Sequence, residues 1–130
     1  MKTHKDLDVW KYSREFVSTV YTLTKGFPRD EVYGLISQIR RSAVSIPSNI
    51  AEGSARKGDK EFIHFLYIAL GSTAELETQL LLASDLGYLS NINNYEISIG
   101  RIRSMLLGLV NYLEIRVEHD KRKKDDVRKV

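Results

Sequence analysis

Apolar positions recur every three or four residues along most of the chain, the period of an α-helix with one buried face. Val9, Phe16, Val17, Val20 and Leu23 mark a first helix from about Asp8 to Lys25. Gly26-Phe27-Pro28 ends it, because Gly suits a helix C-terminus and Pro bars continuation. Leu35, Ile39, Ala43, Ile46 and Ile50 mark a second, from about Asp30 to Ser54. Pro47 falls inside this pattern, removes one backbone hydrogen bond and crowds the Ala43 carbonyl, so a kink is expected. The apolar period passes through Pro47 in phase, which favours one helix over two shorter ones. After the loop Gly53–Gly58, Asp59 is a good N-cap for a third helix. Its stripe is Phe62, Leu66, Ala69, Leu70, Thr73, Leu76, Leu80 and Ala83, and Gly87 caps its end. A fourth follows the SNINN break with Tyr95, Ile99, Ile102, Leu106, Leu109, Leu113 and Val117, then frays into HDKRKKDDVRKV. No segment alternates like a strand. Helices spanning about 27–42 Å joined by short breaks predict an all-α, antiparallel up-down-up-down four-helix bundle with a Pro-kinked second helix. The bundle occupies residues 1–118, and 119–130 form a basic polar tail.

Composition narrows the functional classes. The 130 residues are 42% hydrophobic and 28% charged, ordinary for one folded domain. With no Cys there are no disulfides, thiolate metal sites or thiol nucleophiles. No apolar run approaches the roughly 18 residues of a membrane helix. The opening MKTHKDLDVW lacks a signal peptide's apolar core. A soluble cytoplasmic protein without a membrane partner is expected.

The net charge of +3 lies wholly in residues 119–130, which hold six basic and three acidic residues. The body is neutral, but its signs segregate: residues 61–90 contain Glu61, Glu75, Glu77 and Asp85 and no Lys or Arg. Nucleic-acid affinity must therefore come from a local patch or from the tail. The candidate contacts are Arg40, Arg41, Arg56, Lys57, Lys60, Lys121, Arg122, Lys123 and Lys124. Helices two and four run parallel in such a bundle, so the Arg56–Lys60 turn and the tail leave the same end.

Catalytic patterns are fragmentary. Glu61-x-x-His64 is half of a di-iron signature, but the other two histidines, His4 and His119, lie near the chain ends and outside any second such motif. Ser54-x-x-Lys57 lacks companion motifs. Gly53-x4-Gly58-Asp59-Lys60 lies between helices, whereas a phosphate loop follows a strand. No catalytic residue, metal site or cofactor is assigned, and a non-enzymatic role is expected.

The second helix carries an unusual polar stripe: Gln38, Arg41, Ser45, Asn49, Glu52 and Arg56. Amide, hydroxyl and guanidinium groups make directional hydrogen bonds. The stripe is either an interhelical network, with Arg41 paired to Glu75 of the third helix, or a ligand-binding strip. Beside it, Tyr33, Val44, Pro47 and Ala51 widen the apolar arc. The fourth helix carries Gly100, Ser104, Leu107, Gly108 and Asn111 beside its core stripe. Such excess apolar and small-residue surface points to a homo-oligomer.

Five runs together resemble a known family. They are L-x-V-W (Leu7–Trp10), F-P (Phe27, Pro28), G-L-x-x-Q-x-R-R (Gly34–Arg41), S-I-P-S-N-I-A-E-G (Ser45–Gly53) and F-L-x-x-A-x-G-S-x-x-E-L-E (Phe65–Glu77). The chain, over about residues 7–117, is similar to the bacterial four-helix-bundle family encoded in intervening sequences of 23S ribosomal RNA genes. The resemblance implies a ring-like homo-oligomer, a pentamer, and attaches no catalytic residues. A more distant related bundle, the accessory protein of diversity-generating retroelements, associates with reverse transcriptase and nucleic acid. The expected function is a non-enzymatic oligomeric bundle associated with RNA or a ribonucleoprotein. The alternative is a protein-interaction scaffold that binds no nucleic acid.

Overall fold

The computed structural model describes residues 3–128. Four helices follow in order: α1 (Asp8–Thr24), α2 (Leu35–Ser54), α3 (Asp59–Asp85) and α4 (Ile92–Arg128). Single 3-10 turns cover His4–Asp6 and Arg29–Glu31, and no strand occurs among the described residues. Each helix packs on its chain neighbours, while the seam between α1 and α4 is thin. Cross-helix bonds establish the antiparallel pairing of α2 with α3 and of α3 with α4. Ser42 reaches Gln79 while Ser45, further along α2, reaches Ser72. Arg103 reaches Glu77 while Arg116 reaches Asp59.

The four apolar stripes meet in one core. Val20, Ile39, Ile46, Ile50, Leu66, Leu76, Leu80, Ile99, Ile102 and Leu106 are all fully buried. Most of the buried polar side chains turn back onto their own helices. Thr24 donates to the Val20 carbonyl at 2.9 Å and Thr73 to the Ala69 carbonyl at 2.8 Å. Among the described residues no buried side-chain nitrogen or oxygen lacks a partner.

α2 is continuous across Pro47, so the two-helix alternative falls, although the kink expected there is not confirmed. α2 also starts later than its apolar spacing predicts. Arg29–Glu31 forms a separate turn, and Gly34, at φ −110° and ψ −111°, is not helical. The Glu31 carboxylate accepts from the Leu35 amide at 3.5 Å and so serves the first turn of α2. Gly87 ends α3 with φ +80°, a conformation that suits glycine. Its amide donates to the Ser84 carbonyl at 3.0 Å and the Tyr88 amide to the Ala83 carbonyl at 2.9 Å, a Schellman closure.

The expected fraying after Val117 is corrected: α4 remains helical to Arg128, and residues 129 and 130 lie outside the described region. Beyond Val117 every described residue of α4 is exposed. Lys and Arg are good helix formers, and Arg122 pairs with Glu118 one turn earlier at 3.6 Å, so this segment needs no buried face to be helical.

Candidate nucleic-acid interface

The extended α4 passes over the turn that joins α2 to α3. Arg116 anchors it there: its Nε and one terminal nitrogen donate to the two Asp59 carboxylate oxygens at 2.9 and 3.2 Å. Beyond this clamp the inward stripe of α4 changes character. Val117 is followed at helical spacing by Lys121, Lys124 and Arg128. These residues, Lys57 of the turn and Lys60 at the start of α3 line one cleft of about 490 Å³. Asp59, Glu61, Asp120 and Asp125 line it too, so its cations are not unopposed. Arg116 already engages Asp59.

The candidates Lys57, Lys60, Lys121 and Lys124 thus share one end of the bundle. Lys123 lies beside Lys124, Val127 and Arg128 in a shallow depression along the same segment. Arg56 is committed within the chain, to Glu52 at 2.8 Å and over the Phe65 ring at 4.9 Å. Arg122 is held loosely by Glu118. Arg40 is not at this end at all. Its Nε donates to the Thr24 hydroxyl at 2.9 Å and its guanidinium stacks 4.5 Å over Tyr21, tying α2 to α1.

The polar stripe of α2 divides. Ser45 shares a hydrogen bond with Ser72 at 2.8 Å, and Asn49 donates to the Ser45 carbonyl at 2.8 Å and its hydroxyl at 2.9 Å. Ser42, which lies off that stripe, donates to Gln79 at 2.8 Å. Those groups form an interhelical network. Arg41 does not join it, which corrects the expected internal pair with Glu75. Both side chains are exposed, and although they border the same shallow cleft with Gln38 they form no ion pair. Four residues advance about 400°, so Arg41 lies roughly 40° from Ser45 round the helix and faces solvent. An exposed guanidinium keeps its water, whereas burial would carry a desolvation cost of several kcal/mol. Arg41→Ala should therefore shift the unfolding free energy by less than about 0.5 kcal/mol in urea denaturation. A loss of several kcal/mol would restore the internal pair.

Arg41 opens instead onto a groove of about 730 Å³ between α1 and α2, shared with Lys25, Arg29 and Arg40. Spacing along α2 could not reveal this site, because Lys25 and Arg29 lie in the break between helices. The signal available was two basic residues flanking Gly26-Phe27-Pro28 and a basic pair three turns later.

His64 is exposed and stacks edge-on to Phe65 at 5.5 Å. No three His, Cys, Asp or Glu side chains converge as a metal site among the described residues. No helix among them is long and apolar enough to cross a membrane.

Fold and surface together define a small antiparallel four-helix bundle that concentrates free lysines at one end. The family model described as 23S rRNA-intervening sequence protein matches residues 5–108, and the chain belongs to that family. A crystal structure of a protein of unknown function from the S23 ribosomal protein family of Bacteroides thetaiotaomicron has a similar fold. It aligns with a TM-score of 0.73 at 26% identity over 79% of this chain and 95% of that one. No curated protein matches the chain.

Proposed function

We propose that the protein is a non-enzymatic homo-oligomeric bundle, a pentamer, that associates with RNA or a ribonucleoprotein through the end of the bundle where α4 crosses the α2–α3 turn. The observation that carries this reading is the convergence of Lys57, Lys60, Lys121, Lys124 and Arg128 on one cleft. Lysine ammonium groups on flexible stems suit phosphates arranged along a backbone rather than one fixed ligand. Repetition of a modest patch round a ring raises avidity without a strongly basic subunit.

Outer surfaces of the bundle support the oligomer. Tyr67, Ile68, Leu81 and Leu82 are exposed on α3, and Ile97, Leu107, Tyr112 and Ile115 on α4. Those faces also favour the second reading, a scaffold whose partner is another protein. The deciding experiment combines solution mass with RNA binding across a salt series. The RNA reading expects an assembly larger than 14.9 kDa and an affinity that falls steeply with salt. A monomer at micromolar concentration removes the oligomer, and binding indifferent to salt, or absent, leaves the scaffold.

A further inference from the structure

The groove between α1 and α2 differs from the cleft under α4 in one decisive respect: Lys25, Arg29, Arg40 and Arg41 line it and no carboxylate does. Of these four cations only Arg40 is held within the chain, by Thr24 and Tyr21. Lys25, Arg29 and Arg41 make no ion pair among the described residues. The nearest carboxylates along the chain are turned elsewhere. Glu31 accepts from the Leu35 amide and lies against Tyr88, whose phenol is raised by its partial burial and then by Glu31 and Asp30. Four like charges round one concavity repel one another, and the low-dielectric walls focus their field on whatever enters.

The groove also has an apolar wall. Tyr21, Val32 and Val44 line it with relative exposures of 39%, 46% and 40%. Guanidinium forks beside aromatic and aliphatic faces are the chemistry that holds a nucleotide. The fork takes phosphate oxygens two at a time, and the flat side chains take the base. The volume lies within the range of small-ligand sites.

We propose that the α1–α2 groove binds a nucleotide unit, with its phosphate on Arg41, Lys25 and Arg29 and its base against Tyr21, Val32 and Val44. Arg40 is a positioning residue: fixed over the Tyr21 ring, it orients the aromatic wall and adds a stationary charge. The unit is either a free nucleotide or one residue of an RNA strand, and only in the second case does the inference rest on the RNA reading above. The acidic α3 of a second copy is a poorer occupant. Its Glu77 is already paired with Arg103 at 2.8 Å. Glu61, Glu75 and Asp85 are strung along about 36 Å of helix, too far apart to meet four converging cations together.

The test titrates the full chain with ADP and, separately, with a fluorescein-labelled hexauridylate. Wild type is compared with Arg41→Glu, Arg41→Lys and the cleft variant Lys121→Glu/Lys124→Glu. Arg41 is exposed, so its variants should keep their helicity; Arg41→Gln replaces Arg41→Glu if circular dichroism shows otherwise. The expected result is about a tenfold or greater loss for both probes in Arg41→Glu. A smaller loss is expected in Arg41→Lys, which keeps the charge without the fork, and ADP binding should be unchanged in the cleft variant. ADP binding that depends on Arg41, without hexauridylate binding, upholds the groove and removes the RNA reading. Hexauridylate binding lost in the cleft variant but intact in Arg41→Glu, with no ADP binding, overturns the groove and keeps the RNA reading. A change of solution mass in Arg41→Glu with unaltered binding also overturns it, and makes the groove a contact between copies.

Discussion

Gly53→Ala is expected to destabilise the fold, whereas the same substitution at Gly100 or Gly108 stabilises it. Intrinsic helix preference gives all three a gain of about 0.5–1 kcal/mol, since each is helical. At Gly53 close packing reverses the sign. A Cβ there would lie 2.7 Å from the Phe65 Cβ and 3.0 Å from the Phe62 ring, where α2 and α3 cross. Phe65 Cβ is fixed to the backbone of α3, so the helices themselves would have to separate. Overpacking of this kind costs about 1–3 kcal/mol, and the contact to a backbone-fixed Cβ puts it towards the upper end, leaving a net loss of up to about 2.5 kcal/mol. At Gly71, Gly100 and Gly108 nothing lies within 4 Å of the added carbon. Urea denaturation at high dilution separates these effects from assembly, because association makes apparent stability concentration-dependent. A Gly53→Ala protein as stable as wild type would show that the two helices can part without cost. Measured at higher concentration, Gly100→Ala and Gly108→Ala also examine the oligomer. If they stabilise the dilute chain yet lower the assembled mass, the outer face of α4 is where a second copy approaches. If the mass is unchanged, that face is not the contact.

The bundle was legible because its signal is periodic. Ile39, Ala43, Ile46 and Ile50 on α2 and Ile99, Ile102, Leu106 and Leu113 on α4 are buried as their spacing requires. The family resemblance pointed to the same fold, and the matched residues 5–108 fall within the bundle. Periodicity failed where no apolar face exists to report a helix. Past Val117 the inward positions become Lys121, Lys124 and Arg128, so the pattern ended while the helix did not. It failed again at Arg41, because the stripe shared with Ser45 gave the correct side of α2 but not the 40° or so that separates a bonded serine from an exposed arginine. The shared end of α2 and α4 could be deduced from topology. The groove could not, since it depends on how the break after α1 sets Lys25 and Arg29 beside α2.

Removing the basic end of α4 should weaken RNA binding and flatten its salt dependence without unfolding the bundle. Truncation after Val117 removes only exposed side chains among the described residues, so no core contact is lost. The quadruple change Lys57→Glu, Lys60→Glu, Lys121→Glu and Lys124→Glu leaves the helix in place and reverses the cleft's charge. Arg56 is kept, because its bonds to Glu52 and Phe65 belong to the end of α2. Each lysine that neutralises a phosphate on a single strand contributes about 0.7 to the slope of log affinity against log salt. Loss of all four should flatten the slope by about 3 and lower affinity at low salt by more than about a hundredfold. Truncation removes Lys121, Lys124 and Arg128 from the cleft but spares Lys57 and Lys60, so it should flatten the slope by about 2. Fluorescence anisotropy with one labelled RNA across a salt series measures both quantities, and circular dichroism checks the helices. A truncated chain and a quadruple variant that both keep the wild-type slope would move the RNA contact away from this end. If wild type itself shows no slope, phosphate neutralisation plays no part, and the exposed apolar faces of α3 and α4 become the better guide to what the protein binds.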